Sequence, residues 1–182
     1  MKRITAPLSK KTRIALKAGD AVLLSGVIFT ARDAAHRRFA DILKKRRGAL
    51  PIPLKGACIY YAGPTPPHKG AVIGSCGPTT SSRVDRFTPD VLKAGVTGLI
   101  GKGLRSENVR KKIRSHKAVY FLAIAGAGAL ISTKVKSARP VAYKDLGPEA
   151  VYRLEVEDLP LIVGIDARGR DVYKKINTKG AR

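Results

Sequence analysis

Glutamine is absent from the 182-residue chain, asparagine occurs only at Asn108 and Asn177, and the only methionine is Met1. Depletion of such thermolabile side chains is part of the thermophile signature and points to a hot-living source, although the scarcity of glutamate runs against it. Cysteine is nearly missing too. Cys58 and Cys76 cannot make a disulfide framework, and both sit in or beside apolar segments, where reduced core thiols are found. With three scattered histidines they form no CxxC, HxxxH or HExxH spacing, so no metal site is expected on this chain. Two cysteines are fewer than a four-iron cluster normally takes from its protein, so any cluster the chain works with must come from elsewhere. No apolar run approaches the roughly 20 residues of a membrane span. The longest, from Ala118 to Ile131, is broken by Gly126 and Gly128. Basic residues in Met1–Lys11 have no apolar segment behind them, so no secretory signal is read, and the expected address is the cytoplasm with no membrane contact.

Acidic residues are scarce: 13 Asp+Glu against 36 Lys+Arg, a formal charge of +23. Such a surplus attracts anions of any kind, from small carboxylates to acidic proteins or nucleic acid. A nucleic-acid surface needs basic clusters interleaved with aromatic rings for stacking. Lys44–Arg47 and Arg110–Arg114 are basic, but aromatics are 5% of the chain, tryptophan is absent, and the rings do not alternate with those runs. The charge therefore fits docking to an acidic partner and drawing in small anions. A basic nucleic-acid-binding protein, with steeply salt-dependent affinity, remains the alternative from a different class.

What is present reads as one α/β domain over residues 1–182, long enough for a hydrophobic core. Lys17–Asp20 is a tight turn before a strand, Ala21–Phe29, and Asp33 is placed to cap the helix behind it. Ala35, Phe39, Ile42 and Leu43 form one apolar stripe, while Arg37, Arg38, Asp41 and Lys44 face away. Gly48 ends this helix. Strands are expected at Ala57–Tyr61, Val72–Gly74, Thr97–Ile100, Val119–Ala125 and Leu161–Ile165, with a helix from about Pro148. Thr88-Pro89 reads as cap and first helical residue, with Gly95 as the residue just past the helix end. Ser106 caps a basic helix reaching His116. The basic tail from about Lys174 is expected to fray.

Three segments carry candidate chemistry. Gly77–Arg83 (GPTTSSR) sets Thr79, Thr80, Ser81 and Ser82 beside Arg83, so hydroxyls and a planar guanidinium fork face an anion together. A Ser/Thr-rich turn with a surface arginine has the same composition. Arg32 and Asp33, with His36 one turn later, occupy a strand-to-helix corner, where ligand residues collect in open α/β sheets. A capped helix with a solvated arginine and a structural histidine fits those residues as well. Lys102 sits between Gly101 and Gly103 after a strand, but the P-loop pattern fails: Val96 stands where the first glycine belongs, and Gly103 where Ser or Thr belongs. Together the segments offer three cations and several hydroxyls to a small, doubly charged, oxygen-rich anion. No metal or obvious acid–base group completes them, so the chain looks like half of an active site.

Four runs, LSGVIFTARDAAH (Leu24–His36), YAGPTP (Tyr61–Pro66), IGSCGPTTSSRVD (Ile73–Asp85) and IGKG (Ile100–Gly103), resemble, in this order, the β subunit of class I fumarases and L-tartrate dehydratases. The likeness extends from about Gly19 to Gly169. It implies a swivelling β/β/α-type domain, corresponding to the C-terminal domain of single-chain class I fumarases. It also implies a four-iron–four-sulfur cluster held by a partner α subunit in an αβ or α2β2 assembly, and reversible hydration of fumarate to malate. L-tartrate dehydration is the runner-up within the family. Carried over, Arg32, Arg83 and Lys102, with Thr80, would bind the dicarboxylate substrate. Thr79 would exchange the C3 proton, and Asp33, His36 and Ser82 would support the site. A threonine hydroxyl is intrinsically a poor base and needs help, expected from the other subunit. Three departures stand out. Val84 replaces a common methionine, the interval from Arg83 to Lys102 varies by a residue in the family, and Cys76 puts a thiol beside the site, where oxidation would matter.

Overall fold

Short strands buried on both faces read as continuous apolar runs, and three of them lie at the centre of this molecule. A computed structural model describes residues 1–45, 48–124 and 126–174. Strand β1 (Lys2–Ala6) and helix α1 (Lys10–Ala15) precede β2 (Ala21–Thr30) and α2 (Asp33–Lys45). Then come β3 (Cys58–Tyr60), α3 (Thr88–Lys93), β4 (Gly98–Gly101), α4 (Glu107–Ser115), β5 (Val119–Leu122), α5 (Gly128–Ser132), β6 (Val135–Ala142) and β7 (Val151–Ile165). β2, β3, β4 and β5 lie side by side in parallel. β7 runs antiparallel to both β5 and β2, so it closes the four into a small barrel-like sheet. β1 adds to the first half of β2, and β6 to the outer side of β7.

The period-2 alternation of a strand divides the core. Cys58 and Tyr60 join Leu24, Ile28, Ile100, Phe121 and Val163 in one cluster. Ile59 and Tyr61 join the other, where Phe39, Val91, Val109 and Ile113 bring in the helices. The architecture is thus mixed α/β, and no helix among the described residues is long and apolar enough to cross a membrane.

The turn at Lys17–Asp20, the helix behind Arg32, the Ser106 cap and Gly95 past the end of α3 (φ 103°) stand as the sequence predicts. Several expectations do not. Val72–Gly74 is no strand. It folds back on Thr65 through Gly74 N–H to Thr65 O (3.2 Å) and Thr65 N–H to Ser75 O (3.0 Å). Pro64, Pro66 and Pro67 have no N–H to offer a ladder. The helix expected from Pro148 is a 3-10 stretch, Lys144–Glu149, broken at Gly147, and residues from Val151 onward form one 15-residue strand. Leu154 and Val156 point inward while Glu155 and Glu157 are exposed, the period-2 alternation of a strand. Asp33 does not cap α2; the Ala34 N–H is met by Glu149 Oε2 at 2.9 Å. Thr88 is the first residue of α3, and its hydroxyl donates to Val84 O at 3.0 Å. The strand from Val119 ends at Leu122, and the Ala125 end of that expectation lies outside the described residues. The frayed tail does too, beyond Lys174.

Candidate active site

Parallel pairing in register brings the carboxyl ends of β2, β3 and β4 to one edge of the sheet: Thr30 lies beside Tyr60, and Tyr60 beside Ile100. The chain leaves these ends as Ala31-Arg32-Asp33, Tyr61-Ala62-Gly63 and Gly101-Lys102-Gly103. That is the edge where open α/β sheets place ligand groups. Two of the three segments singled out by sequence thus meet by strand register, and the hydroxyl loop joins them by hydrogen bonding.

The loop is sewn onto both neighbours. Thr79 N–H (2.7 Å) and Thr79 Oγ1–H (2.8 Å) both donate to the Tyr61 carbonyl. Thr80 makes a parallel bridge with Lys102, closed by Ser81 N–H to Lys102 O (2.9 Å) and Lys102 N–H to Thr79 O (3.3 Å). Thr79 is therefore held in one rotamer, half-buried, with its proton on a main-chain oxygen and its lone pairs free to accept. Gly101 makes this approach possible: a Cβ there would stand 2.1 Å from Ser81 Oγ and 2.7 Å from Tyr61 Cδ2. Thr80 and Ser82 are exposed, while Ser81 is buried against the Tyr120 hydroxyl (2.9 Å).

The two arginines are not bare. Arg32 Nη2 lies 3.4 Å from Glu149 Oε1, and Arg83 Nε donates to Asp33 Oδ1 at 3.2 Å. Arg32 stacks over Gly63, where a Cβ would come within 2.8 Å of its Nη1. The Arg83–Asp33 pair ties the hydroxyl loop to the Arg32 corner. Lys102 makes no ion pair among the described residues. Three cations against two carboxylates leave a net positive edge with partner-lined, preoriented guanidinium groups. This arrangement can hold carboxylates by charge-assisted hydrogen bonds.

His36 is fully buried. Its Nδ1 donates to Arg32 O (2.9 Å), and its ring packs on Tyr61, Phe39 and Phe87. Burial first, then the nearby Arg105 charge, lowers its pKa to about 4, against the Arg32 carbonyl and Asp33, which raise it. It acts as a neutral brace under the Arg32 corner. Because its folded pKa is depressed, this stability is complete above pH 6.5 and is lost as pH falls toward 4. The loss is on the order of 2–3 kcal/mol. Urea unfolding of wild type and His36→Phe at pH 7.5 and 4.5 measures it: the wild type should lose that much more stability on acidification. Equal losses would remove His36 from the acid response.

Cys58 and Cys76 are buried, and burial pushes both thiols up to about 12. The expected oxidation-sensitive thiol beside the site is thus a protonated core group. Among the described residues no group of three or more His, Cys, Asp and Glu is placed to hold a metal ion, and two buried, protonated thiols do not fit an iron–sulfur cluster. A groove of about 520 Å³ beside Pro148, lined mainly by apolar side chains such as Pro64, Pro66, Val72, Pro140 and Tyr152, brings one cation, Lys144, against the three at the sheet edge.

Sequence reasoning missed Glu149, Asp85, Arg105 and the two tyrosines, Tyr61 and Tyr120, that hold this edge together. Tyr61 opens the YAGPTP run and Asp85 closes the IGSCGPTTSSRVD run, but neither stands out there as a site residue, and Glu149, Arg105 and Tyr120 lie outside the four runs. Only their carboxylate, guanidinium and phenol chemistry near the motifs would have drawn notice.

The family model described as Fumarase C-terminus matches residues 3–176. The "Putative L(+)-tartrate dehydratase subunit beta" of Methanocaldococcus jannaschii is 38% identical over 178 residues, covering 94% of this chain and 91% of that protein. The aerobic class I fumarate hydratase of Escherichia coli (strain K12) is 36% identical over 182 residues, covering 97% of this chain. Fumarate hydratase 2 of Leishmania major is 35% identical over 159 residues, covering 86% of this chain. The chain spans nearly all of the first relative but only 31% and 28% of the two fumarate hydratases.

Proposed function

The chain belongs to the Fumarase C-terminus family, and from that premise we propose that it is the β subunit of a two-subunit iron–sulfur hydro-lyase that reversibly hydrates fumarate to malate. The observation that carries this reading is the gathering of Arg32, the Thr79–Arg83 loop and Lys102 on one sheet edge. Arg32, Arg83 and Lys102 bind the two carboxylates, with Thr80 beside them. Thr79 gives its hydroxyl proton to C3 as the hydroxide part of the water adds to C2. The proton that water releases returns to Thr79 through a group on the partner subunit, since a threonine hydroxyl needs such help; dehydration runs the same transfers in reverse. Asp33 orients Arg83, His36 braces the Arg32 corner, and Ser82 shapes the loop. Since the donor set here does not fit a cluster, a four-iron–four-sulfur cluster belongs to a partner α subunit, in an αβ or α2β2 complex in the cytoplasm. The barrel-like sheet with helices on its outer side supports a single swivelling β/β/α-type domain over 1–182. L-tartrate dehydration is the second reading, favoured by the length match with the tartrate dehydratase relative.

The test is co-expression with a larger, cysteine-bearing candidate α chain, followed by anaerobic reconstitution, iron analysis and assays with fumarate and L-tartrate. The isolated chain should bind no stoichiometric iron and catalyse neither reaction, while the complex does one or both. A stoichiometric cluster on this chain alone would overturn the assignment. So would an inactive complex whose β chain instead binds DNA with a steep salt slope.

A further inference from the structure

Arg105 lies just past the IGKG segment, next to exposed Leu104, and its side chain has no exposed surface. Every nitrogen of its guanidinium finds a partner. Nε donates to Asp85 Oδ1 (2.7 Å), Nη2 to Thr88 Oγ1 (2.7 Å) and Nη1 to the Tyr61 hydroxyl (3.3 Å). The guanidinium carbon sits 5.4 Å from the Tyr61 ring centroid and 5.1 Å from that of Tyr120. Burial alone would pull its pKa down, but Tyr61, Asp85 and Tyr120 raise it on balance, so the charge stays. Taking such an ion out of water costs several kcal/mol, and a buried ion pair is weak as a source of stability alone. Its contacts are where a role beyond packing is to be sought.

What it holds is the framework of the candidate site. The Tyr61 carbonyl accepts both the N–H and the hydroxyl of Thr79. The Tyr120 hydroxyl donates to Gly103 O (2.8 Å) and contacts Ser81 Oγ, so it spans the lysine turn and the hydroxyl loop. Asp85 offers its second oxygen to Ser106 N–H (2.7 Å), tying the end of the loop to the segment that follows Lys102. One buried guanidinium is stacked against both tyrosines and bonded to the loop's carboxylate.

We propose that Arg105 is a positioning residue for the reaction, setting the Thr79 hydroxyl and the Lys102 turn against each other through Tyr61, Tyr120 and Asp85. This rests on the reading of Thr79 and Lys102 as site residues given above. A lysine supplies the charge but neither the fork nor the stacking plane, so Arg105→Lys is not conservative here.

The experiment uses the assembled α–β complex, with fumarate and L-tartrate as probes. It compares Arg105→Met, Arg105→Lys, Tyr120→Phe and Thr79→Val, alone and with Thr79→Val combined with each of the others. Misplacement of a reacting group by about 1 Å costs on the order of 100-fold in rate. Arg105→Met should therefore lower kcat by about that factor while raising KM by less than Lys102→Ala does, and Arg105→Lys should recover part of the kcat loss. The Thr79 double variants should be no slower than Thr79→Val alone, because the residues act as a unit. If Arg105→Met does not fold, Arg105→Lys and Tyr120→Phe, which removes only the hydroxyl, carry the same comparison. Losses that multiply with Thr79→Val, that fall on KM alone, or that track the loss of thermal stability would overturn the proposal. An unimpaired Thr79→Val complex would instead overturn the site reading itself.

Discussion

Thr79→Val in the assembled complex should lower turnover by about 10²–10⁴, the range a positioned proton-transfer group contributes, while substrate KM stays within about tenfold. The geometry makes this variant clean. Valine keeps the β-branched shape, and the Tyr61 carbonyl that loses the hydroxyl still accepts the residue-79 N–H, 2.7 Å away in the wild type. The loop therefore stays docked while the exchangeable proton is gone. In the proposed site carboxylate binding rests on the arginines and Lys102, which the substitution does not touch. Thr79→Ser restores a hydroxyl without the methyl that holds its rotamer, so partial activity should return. Ser82→Ala, at an exposed position, should be mild. Steady-state kinetics with solvent deuterium incorporation at C3 reads the result. Wild-type deuterium exchange by Thr79→Val would remove Thr79 from the mechanism and move the base to the partner chain.

The second large effect is expected at the cations. Arg32→Ala, Arg83→Ala and Lys102→Ala should each raise KM for the dicarboxylate by about 10- to 100-fold, the equivalent of one charge-assisted hydrogen bond. The two arginine variants should be the worse, for a reason only the structure supplies. Removing Arg32 or Arg83 leaves Glu149 or Asp33 without its guanidinium partner, a bare negative charge at the place where the proposed site would take a carboxylate. Arg32→Ala combined with Glu149→Gln should therefore bind better than Arg32→Ala alone. Lys45→Ala and Lys112→Ala, on exposed helix positions, serve as controls and should change KM little. Equal losses at control and pocket positions would mean that the +23 charge acts as a general field and the pocket assignment is wrong.

The candidate site was legible because its elements announce themselves locally. Thr79, Thr80 and Arg83 lie within five residues, Arg32 follows a strand of Val, Leu and Ile, and Lys102 sits between two glycines after another strand. Helix α2 was legible through its stripe, and α4 through Ser106, whose hydroxyl accepts from Val109 N–H at 3.4 Å. The region after Pro148 was misread because Gly147-Pro148-Glu149 resembles a helix start. The alternation from Leu154 competes with that signal, and only pairing with β2, β5 and β6 decides for a strand. Val72–Gly74 has strand-forming residues but no partner strand, and strands are defined by partners.

The sequence by itself determined the order of the three candidate segments and their cations and hydroxyls, the shortage of cluster ligands and the family. These are local properties, written in residue type and spacing. Tertiary structure alone decided which carboxylate faces which cation: Asp33 reaches Arg83 across 50 residues, and Glu149 reaches the start of α2 across 115. It also decided that β7 closes the sheet and that Arg105 is buried between Tyr61 and Tyr120. Such pairings depend on strand register and crossover geometry. Those are set by the burial of the whole core and leave no periodic trace in the residues that end up touching.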